Sequence, residues 1–297
     1  FGLEDLDELS NHILTRSREA VLAEIAKLPK GTYKNAMTVD GYDEPVTLAA
    51  SVTISDTGIH IDYTGTGPVS RRGINVPHSY TTAYTVFGIA CIVGKDIPNN
   101  AGSLSPLTVS APEGCILNAP KPRPVASRHI IGQMLPDVVF GALRQAVPDR
   151  VPAEGTSCLF NLNVRGETDE EGLGNYGFTM TVTSNGGTGA RPMKDGLSAT
   201  ATPLIFWKKE YRPDSGGAGR TRGGLGQIIE LGSRIGKPFD LLAAFDRIDH
   251  PPRGFDGGEN GAPGGVALAS GVKLKGKGFQ TIPADDRLVI LTPGGGG

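Results

Sequence analysis

Apolar residues return at steps of three and four from Leu3 through Leu6, Leu9, Ile13, Leu14, Val21, Leu22 and Ile25 to Leu28, with acidic residues early and Lys27 late. That periodicity predicts an amphipathic helix ending before Pro29. From Tyr33 onward the runs become β-rich. Val46 to Ile54, the turn Asp56-Thr57-Gly58 and the alternating Ile59 to Tyr63 predict a hairpin with His60 on its solvent side. Tyr80 to Gly94 is almost continuously apolar and long enough for a buried helix, with Ser79 placed to cap it. A second helical region runs from Ser127 to Val147, where Pro136 either kinks the helix or starts another. Short strands are expected at Leu107 to Ala111, Thr156 to Val164, Tyr176 to Ser184, Pro203 to Trp207, Ile228 to Leu231, Phe239 to Phe245, Gly265 to Ala269 and Leu288 to Leu291. Helical and β-rich runs are segregated and do not alternate as βαβ units. The fold class is therefore α+β, with mixed and antiparallel sheets, a few long helices and glycine-rich loops. A division near Val151 separates a helix, hairpin and buried-helix region, residues 1–150, from a β-rich glycine-loop region, residues 151–297.

Composition alters this picture in one respect. The 43 glycines among 297 residues are about twice the usual share, whereas the apolar fraction of 38% and the charged fraction of 20% are ordinary. The surplus is assigned to turns and shaped loops. A net charge of -2 gives no electrostatic footprint for nucleic acid or an anionic membrane, and neither is expected as a partner. No apolar run is long enough for a membrane-spanning helix. Cys91, Cys115 and Cys158 lie far apart in apolar or small-residue surroundings, which suits reduced core thiols of a soluble, cytoplasmic protein. The chain begins without Met and stops after an apparent strand, so it reads as a segment of a longer polypeptide.

The densest unusual chemistry is Pro213 to Gln227, PDSGGAGRTRGGLGQ, with six glycines, Asp214, Ser215, Arg220 and Arg222. Fixed charge in a glycine frame favours a shaped loop over a tether, and two readings of it stay open. Backbone N–H groups and guanidinium forks meet an anion or a neighbouring carboxylate, or the charges of a tight turn pair with each other. A companion loop at Asn185 to Gly196 carries Arg191, Lys194 and Asp195. At Asp96 to Gly102, Asn99 and Asn100 either hold a turn or present amides to a polar ligand. Standard self-contained sites are missing: the sequence has no HExxH, CxxC, Walker A or GxSxG pattern, and Ser215 lacks an evident base.

The ordered blocks GINVPHSYTTAYTVFGIACIV, DIPNNAGSLSPL, APEGCILNAPKPRPVASRH, NGGTGARPMKDGLSAT, RPDSGGAGRTRGGLG and LTPGGGG resemble the hydantoinase B family, which includes the matching part of 5-oxoprolinase and is related to acetone and acetophenone carboxylase subunits. The resemblance covers nearly the whole chain, and its DSGGAGxxRGGLG block is specific. It implies the C-terminal part of a B-type subunit in an ATP-dependent hetero-oligomer that opens a cyclic amide. ATP is expected on a hydantoinase A-like partner, which activates the small-molecule substrate by phosphorylation. A divalent metal is expected in the family's N-terminal portion, so no metal ligand is carried onto this chain. One departure is a shortened stretch between Leu197-Ser198-Ala199-Thr200 and Pro203-Leu204-Ile205. The alternatives are a subunit of a ketone carboxylase and a non-catalytic scaffold. His78, a loop histidine of the residue type whose unperturbed pKa lies near neutrality, and Asp214 are the candidate catalytic groups. Asn75, Asn99, Asn100, Asp195, Ser215, Arg220 and Arg222 are the candidates for contacts with substrate or partner.

Overall fold

Alternation decides which faces of the first strands are buried. In the strand Val46–Ile54 the side chains of Leu48, Ala50, Val52 and Ile54 are buried while those between them stay partly exposed, the period-two pattern of a sheet with one covered face. The computed structural model describes residues 5–167, 175–182 and 203–297. It is an α+β protein that divides into two compact units: Phe1–Thr38 with Val46–Val151, and Val39–Pro45 with Pro152–Gly297.

In the first unit the strands β1 (Gly31–Val39), β2 (Val46–Ile54), β3 (Ile59–Asp62) and β4 (Leu107–Ser110) form one sheet in that order, mixed because β3 and β4 run parallel. The expected hairpin is β2–β3, in antiparallel register from Ser51 opposite Asp62 to Ile54 opposite Ile59. Gly58, at φ 150°, closes its turn by accepting from the N–H of Ser55 at 3.0 Å. Around the sheet lie α1 (Asp7–Ala26), α2 (His78–Val93), α3 (Ala101–Leu104), α4 (His129–Gly132) and α5 (Leu135–Leu143). Pro136 starts α5, which settles the choice left by the sequence. Gly88 of α2 lets the backbone at Pro136 come close, since a Cβ there would stand 3.0 Å from its Cα.

Three expectations for this unit need correction. Ser79 does not cap α2: it lies inside the helix, which starts after Pro77 without a side-chain cap, and the Pro77 carbonyl accepts from Tyr80 and Thr81 N–H. The stripe of α1 is buried only over its second half, at Ser17, Val21 and Ile25, while Leu6 remains 71% exposed. Cys91 is exposed, unlike the buried Cys115 and Cys158.

The second unit holds two antiparallel sheets. One has the order β11 (Lys277–Ile282), β9 (Phe239–Ala244), β5 (Phe160–Glu167), β6 (Asn175–Val182), and the other the order β10 (Gly265–Leu268), β12 (Arg287–Leu291), β8 (Gln227–Ser233), β7 (Leu204–Tyr211). Strand β11 has no counterpart among the expected elements. It is an edge strand whose only buried residue is Ile282, so it carries no apolar alternation. No helix among the described residues is long and apolar enough to cross a membrane.

Candidate functional site

The conspicuous glycines of the second unit let backbone pack on backbone. Segments 214–226, 252–262 and 293–297 run past one another without forming strands. Gly217 N–H donates to Gly295 O at 2.9 Å, Gly295 N–H to Gly224 O at 2.9 Å, Glu259 N–H to Ala218 O at 2.7 Å, Ala262 N–H to Ser215 O at 2.7 Å and Gly297 N–H to Glu259 O at 2.9 Å. Side chains have no room at the crossings. A Cβ on Gly223 would overlap the Gly295 carbonyl, and one on Gly294 would overlap the carbonyl of Ser215.

This lattice decides how the conspicuous loop behaves. The N–H groups of Gly217, Gly223 and Gly226, which an anion would need, are engaged internally by Gly295 O, Gly217 O and Ser215 Oγ. Ser215 is buried, and its hydroxyl also donates to Arg212 O at 2.7 Å, so it stitches the loop. Asp214, at φ 56°, stands at the exposed tip and accepts from Arg222 at 2.9 Å. Arg220 is also exposed. The exposed charges of Asp214, Arg220 and Arg222 make up the rim of this loop, with Asp214 and Arg222 paired.

The other candidates belong to the first unit. Asn75 is fully buried; its amide oxygen accepts from Ser70 N–H at 2.7 Å, and its nitrogen donates to the carbonyls of Ser70, Arg72 and Pro124. With its oxygen engaged and its nitrogen directed at three carbonyls, it locks the loop before α2. Asn100 caps α3 through Gly102 and Ser103 N–H and donates to Ser17 Oγ of α1 at 2.8 Å. Asn99 lines a largely apolar cavity of about 380 Å³ with Phe87, Cys91 and Leu107. His78 is the half-buried first residue of α2. Asp195 and its loop lie outside the described residues.

Sequence reasoning passed over a charged centre in the second unit, where β9 is followed by Phe245-Asp246-Arg247-Ile248-Asp249-His250. Glu154, with a fully buried side chain, accepts from Arg247 at 3.2 Å and from Arg253 Nε at 2.6 Å. Arg247 is 1% exposed at φ 63°. Asp246 accepts the N–H of Asp40 at 3.0 Å and of Arg247 at 2.9 Å, with Lys277 Nζ 3.4 Å away. Burial pushes its carboxyl above the usual range, against the opposing pull of Lys277. Burial also drives the Cys158 thiol, which donates to Asp246 O at 3.6 Å, far upward. Asp40 in turn accepts from the N–H groups of Ile248 at 2.7 Å, Asp249 at 3.2 Å and His250 at 2.9 Å, and from His250 Nδ1 at 2.9 Å. Asp246 thus holds the backbone of Asp40, and Asp40 holds the backbone of residues 248–250, beside a cavity of about 200 Å³ that Asp40, His250 and Lys277 line. The available signal was charge concentrated directly after an apolar strand and before Pro251-Pro252, where a solvated loop has no need of it.

The clasp has a testable sign. A carboxyl whose folded pKa lies above its ordinary value, about 3.9, stabilises the fold fully below that value and loses the contribution as pH rises through the folded pKa. At neutral pH the buried charge of Asp246 is therefore destabilising. Asp246→Asn keeps an acceptor for both N–H groups, and its urea midpoint at pH 7 is expected within about 1 kcal/mol of the parent or above it, with a flatter dependence above pH 4. A loss beyond about 3 kcal/mol would show that the charge itself holds the clasp.

Among the described residues no group of three or more His, Cys, Asp or Glu side chains is placed to hold a metal ion, so these residues do not fit a divalent ion.

A sequence model of the family described as hydantoinase B/oxoprolinase matches residues 1–297. The chain is similar to 5-oxoprolinase 1 of Arabidopsis thaliana, at 29% identity over 332 residues covering 100% of this chain and 25% of that protein. It is 32% identical to the protein MJ0963 of Methanocaldococcus jannaschii over 276 residues, 86% of this chain and 47% of the relative. The chain thus spans between a quarter and a half of the length of these relatives. Its fold matches that of the ATP-dependent caprolactamase from Pseudomonas jessenii with TM-score 0.80 at 19% identity, over 99% of this chain and 56% of that one. It also matches the nucleotide-free acetone carboxylase with TM-score 0.70 at 16% identity, over 95% and 47% of the two chains.

Proposed function

Because the chain belongs to the hydantoinase B/oxoprolinase family, we propose that it is part of a B-type subunit of an ATP-dependent cyclic amidohydrolase, working with an ATP-binding hydantoinase A-like partner. The observation that carries this reading is the family match along the whole chain together with similarity to a 5-oxoprolinase. Oxoproline, hydantoin and caprolactam share one functional group, an amide closed into a ring. Amide resonance makes its carbonyl carbon a poor electrophile. Phosphorylating the oxygen on the partner removes that protection, and the B-type part completes the ring opening. The sequence of this chain has no Walker-type loop, which supports a nucleotide site on the partner. Its rigid rim of Asp214, Arg220 and Arg222 serves as a wall facing substrate or partner, since guanidinium forks suit a phosphate or a carboxylate. In the first unit, His78 and Asn99 remain the polar groups proposed to meet a ligand, with Asp195 as a further contact.

A second reading, a ketone carboxylase subunit, is favoured by the acetone carboxylase fold. Reconstituting the chain with its ATP-binding partner tests both. Phosphate release that depends on 5-oxoproline, a hydantoin or caprolactam, with formation of the ring-opened acid, is the expected result. Product that forms only from a ketone and bicarbonate would replace the first reading by the second. In the same assay Arg220→Ala with Arg222→Ala is expected to weaken coupling or subunit association at least tenfold. Unchanged turnover, coupling and association would remove the rim from the site.

A further inference from the structure

The clasp between residues 39–45 and 246–250 leaves one group with an open valence for hydrogen bonding. Asp40 receives three backbone N–H groups and the ring of His250, 2.9 Å away at Nδ1. A carboxylate so placed only accepts, so the ring proton sits on Nδ1 and Nε2 keeps a free lone pair. Among the described residues Nε2 has no hydrogen-bond partner. The ring is 33% exposed and borders the cavity of about 200 Å³. Orientation of an imidazole by a carboxylate on one nitrogen, with the other open to a cavity, is the arrangement that proton transfer requires.

We infer that Asp40 and His250 form a general acid–base site for a cyclic amide entering this cavity, with His250 the catalytic group and Asp40 its positioning residue. The proposal rests on the amidohydrolase reading above and names a group for its ring-opening step. The substrate arrives as the amide phosphorylated on oxygen. A water molecule bonds through its oxygen to the acyl carbon, the C=N electron pair moves to the ring nitrogen, and the proton that water gives to Nε2 passes on to that nitrogen. The new hydroxyl then gives its proton through Nε2 to the nitrogen as the C–N bond breaks with its electron pair on nitrogen, which leaves an acyl phosphate. A second water cleaves the acyl phosphate to the ring-opened acid and releases phosphate, so two waters are consumed after the phosphoryl transfer. The charged groups around the ring are Asp43 and Glu44 from the segment before β2, Asp249 beside it and Lys277 of β11, itself paired with Asp246.

The test uses the chain assembled with its ATP-binding partner and acting on 5-oxoproline. His250→Asn keeps a donor near Asp40 and removes Nε2. It is expected to lower kcat at least 100-fold with little change in KM, to alter the shape of the pH–rate profile, and to regain activity with added imidazole. Nitrogen NMR of the parent is expected to show Nδ1 protonated and Nε2 bare in the neutral form of the ring. His250→Asn turnover within threefold of the parent, or a proton on Nε2, overturns the site. A parent complex that opens no cyclic amide overturns the amidohydrolase reading and the proposal with it. That outcome is distinct from an active parent with an indifferent His250.

Discussion

Gly294→Ala is expected to abolish cooperative folding of the second unit, or to cost more than about 4 kcal/mol where folding survives. Its added Cβ would overlap the carbonyl carbon and oxygen of Ser215 and stand 2.9 Å from Gly216 N. Overpacking between side chains costs about 1–3 kcal/mol because rotamers can shift. Here the opposing atoms are backbone, and Gly294 N–H is itself bonded to Ala262 O at 3.0 Å. Relief therefore means breaking the lattice. Gly257→Ala is the control. Gly257 has φ 91°, and a Cβ added there would meet nothing within 4 Å, so only the backbone strain of about 1 kcal/mol is expected. Urea unfolding of the two variants reads the difference, and a Gly294→Ala midpoint within about 1 kcal/mol of the parent would show that the crossings are loose.

The same contrast explains what could be read from the amino-acid order. Elements with a covered face announced themselves: Leu48, Ala50, Val52 and Ile54 alternate, and α5 is buried at Leu135, Val138, Val139, Ala142 and Leu143. Strand β11 and the exposed half of α1 were illegible because burial there does not follow hydrophobicity. The glycine loop was conspicuous, yet its partners, residues 252–262 and 293–297, lie up to about 80 positions away, and hydrogen bonds between main chains leave no mark on side-chain type. The block that best identified the family is thus largely a packing element, although its charged residues Asp214, Arg220 and Arg222 are exposed. The cavity beside His250 was hidden for a related reason. Asp40 and Asp246 are 206 positions apart, and neither is unusual in its own neighbourhood.

Glu154→Ala is expected to destabilise the second unit by about 3–5 kcal/mol, because it leaves the Arg247 guanidinium, 1% exposed, without its carboxylate. Arg253, whose side chain is 41% exposed, can turn toward water and adds less. Its N–H, however, loses the Glu154 oxygen 2.9 Å away. The main chain of Glu154 belongs to the glycine lattice, accepting from Gly296 N–H at 2.9 Å and donating to Arg253 O at 3.3 Å, and alanine preserves both bonds. The loss therefore combines the buried Arg247 charge with the unmet Arg253 N–H. If that is its origin, adding Arg247→Met to Glu154→Leu removes the stranded cation, and the double variant should be more stable than Glu154→Leu alone. Denaturant midpoints of the singles and the double complete the cycle. Purely additive losses would mean that the two side chains act independently, and that the αL backbone of Arg247, at φ 63°, is held by the fold around it and not by the ion pair.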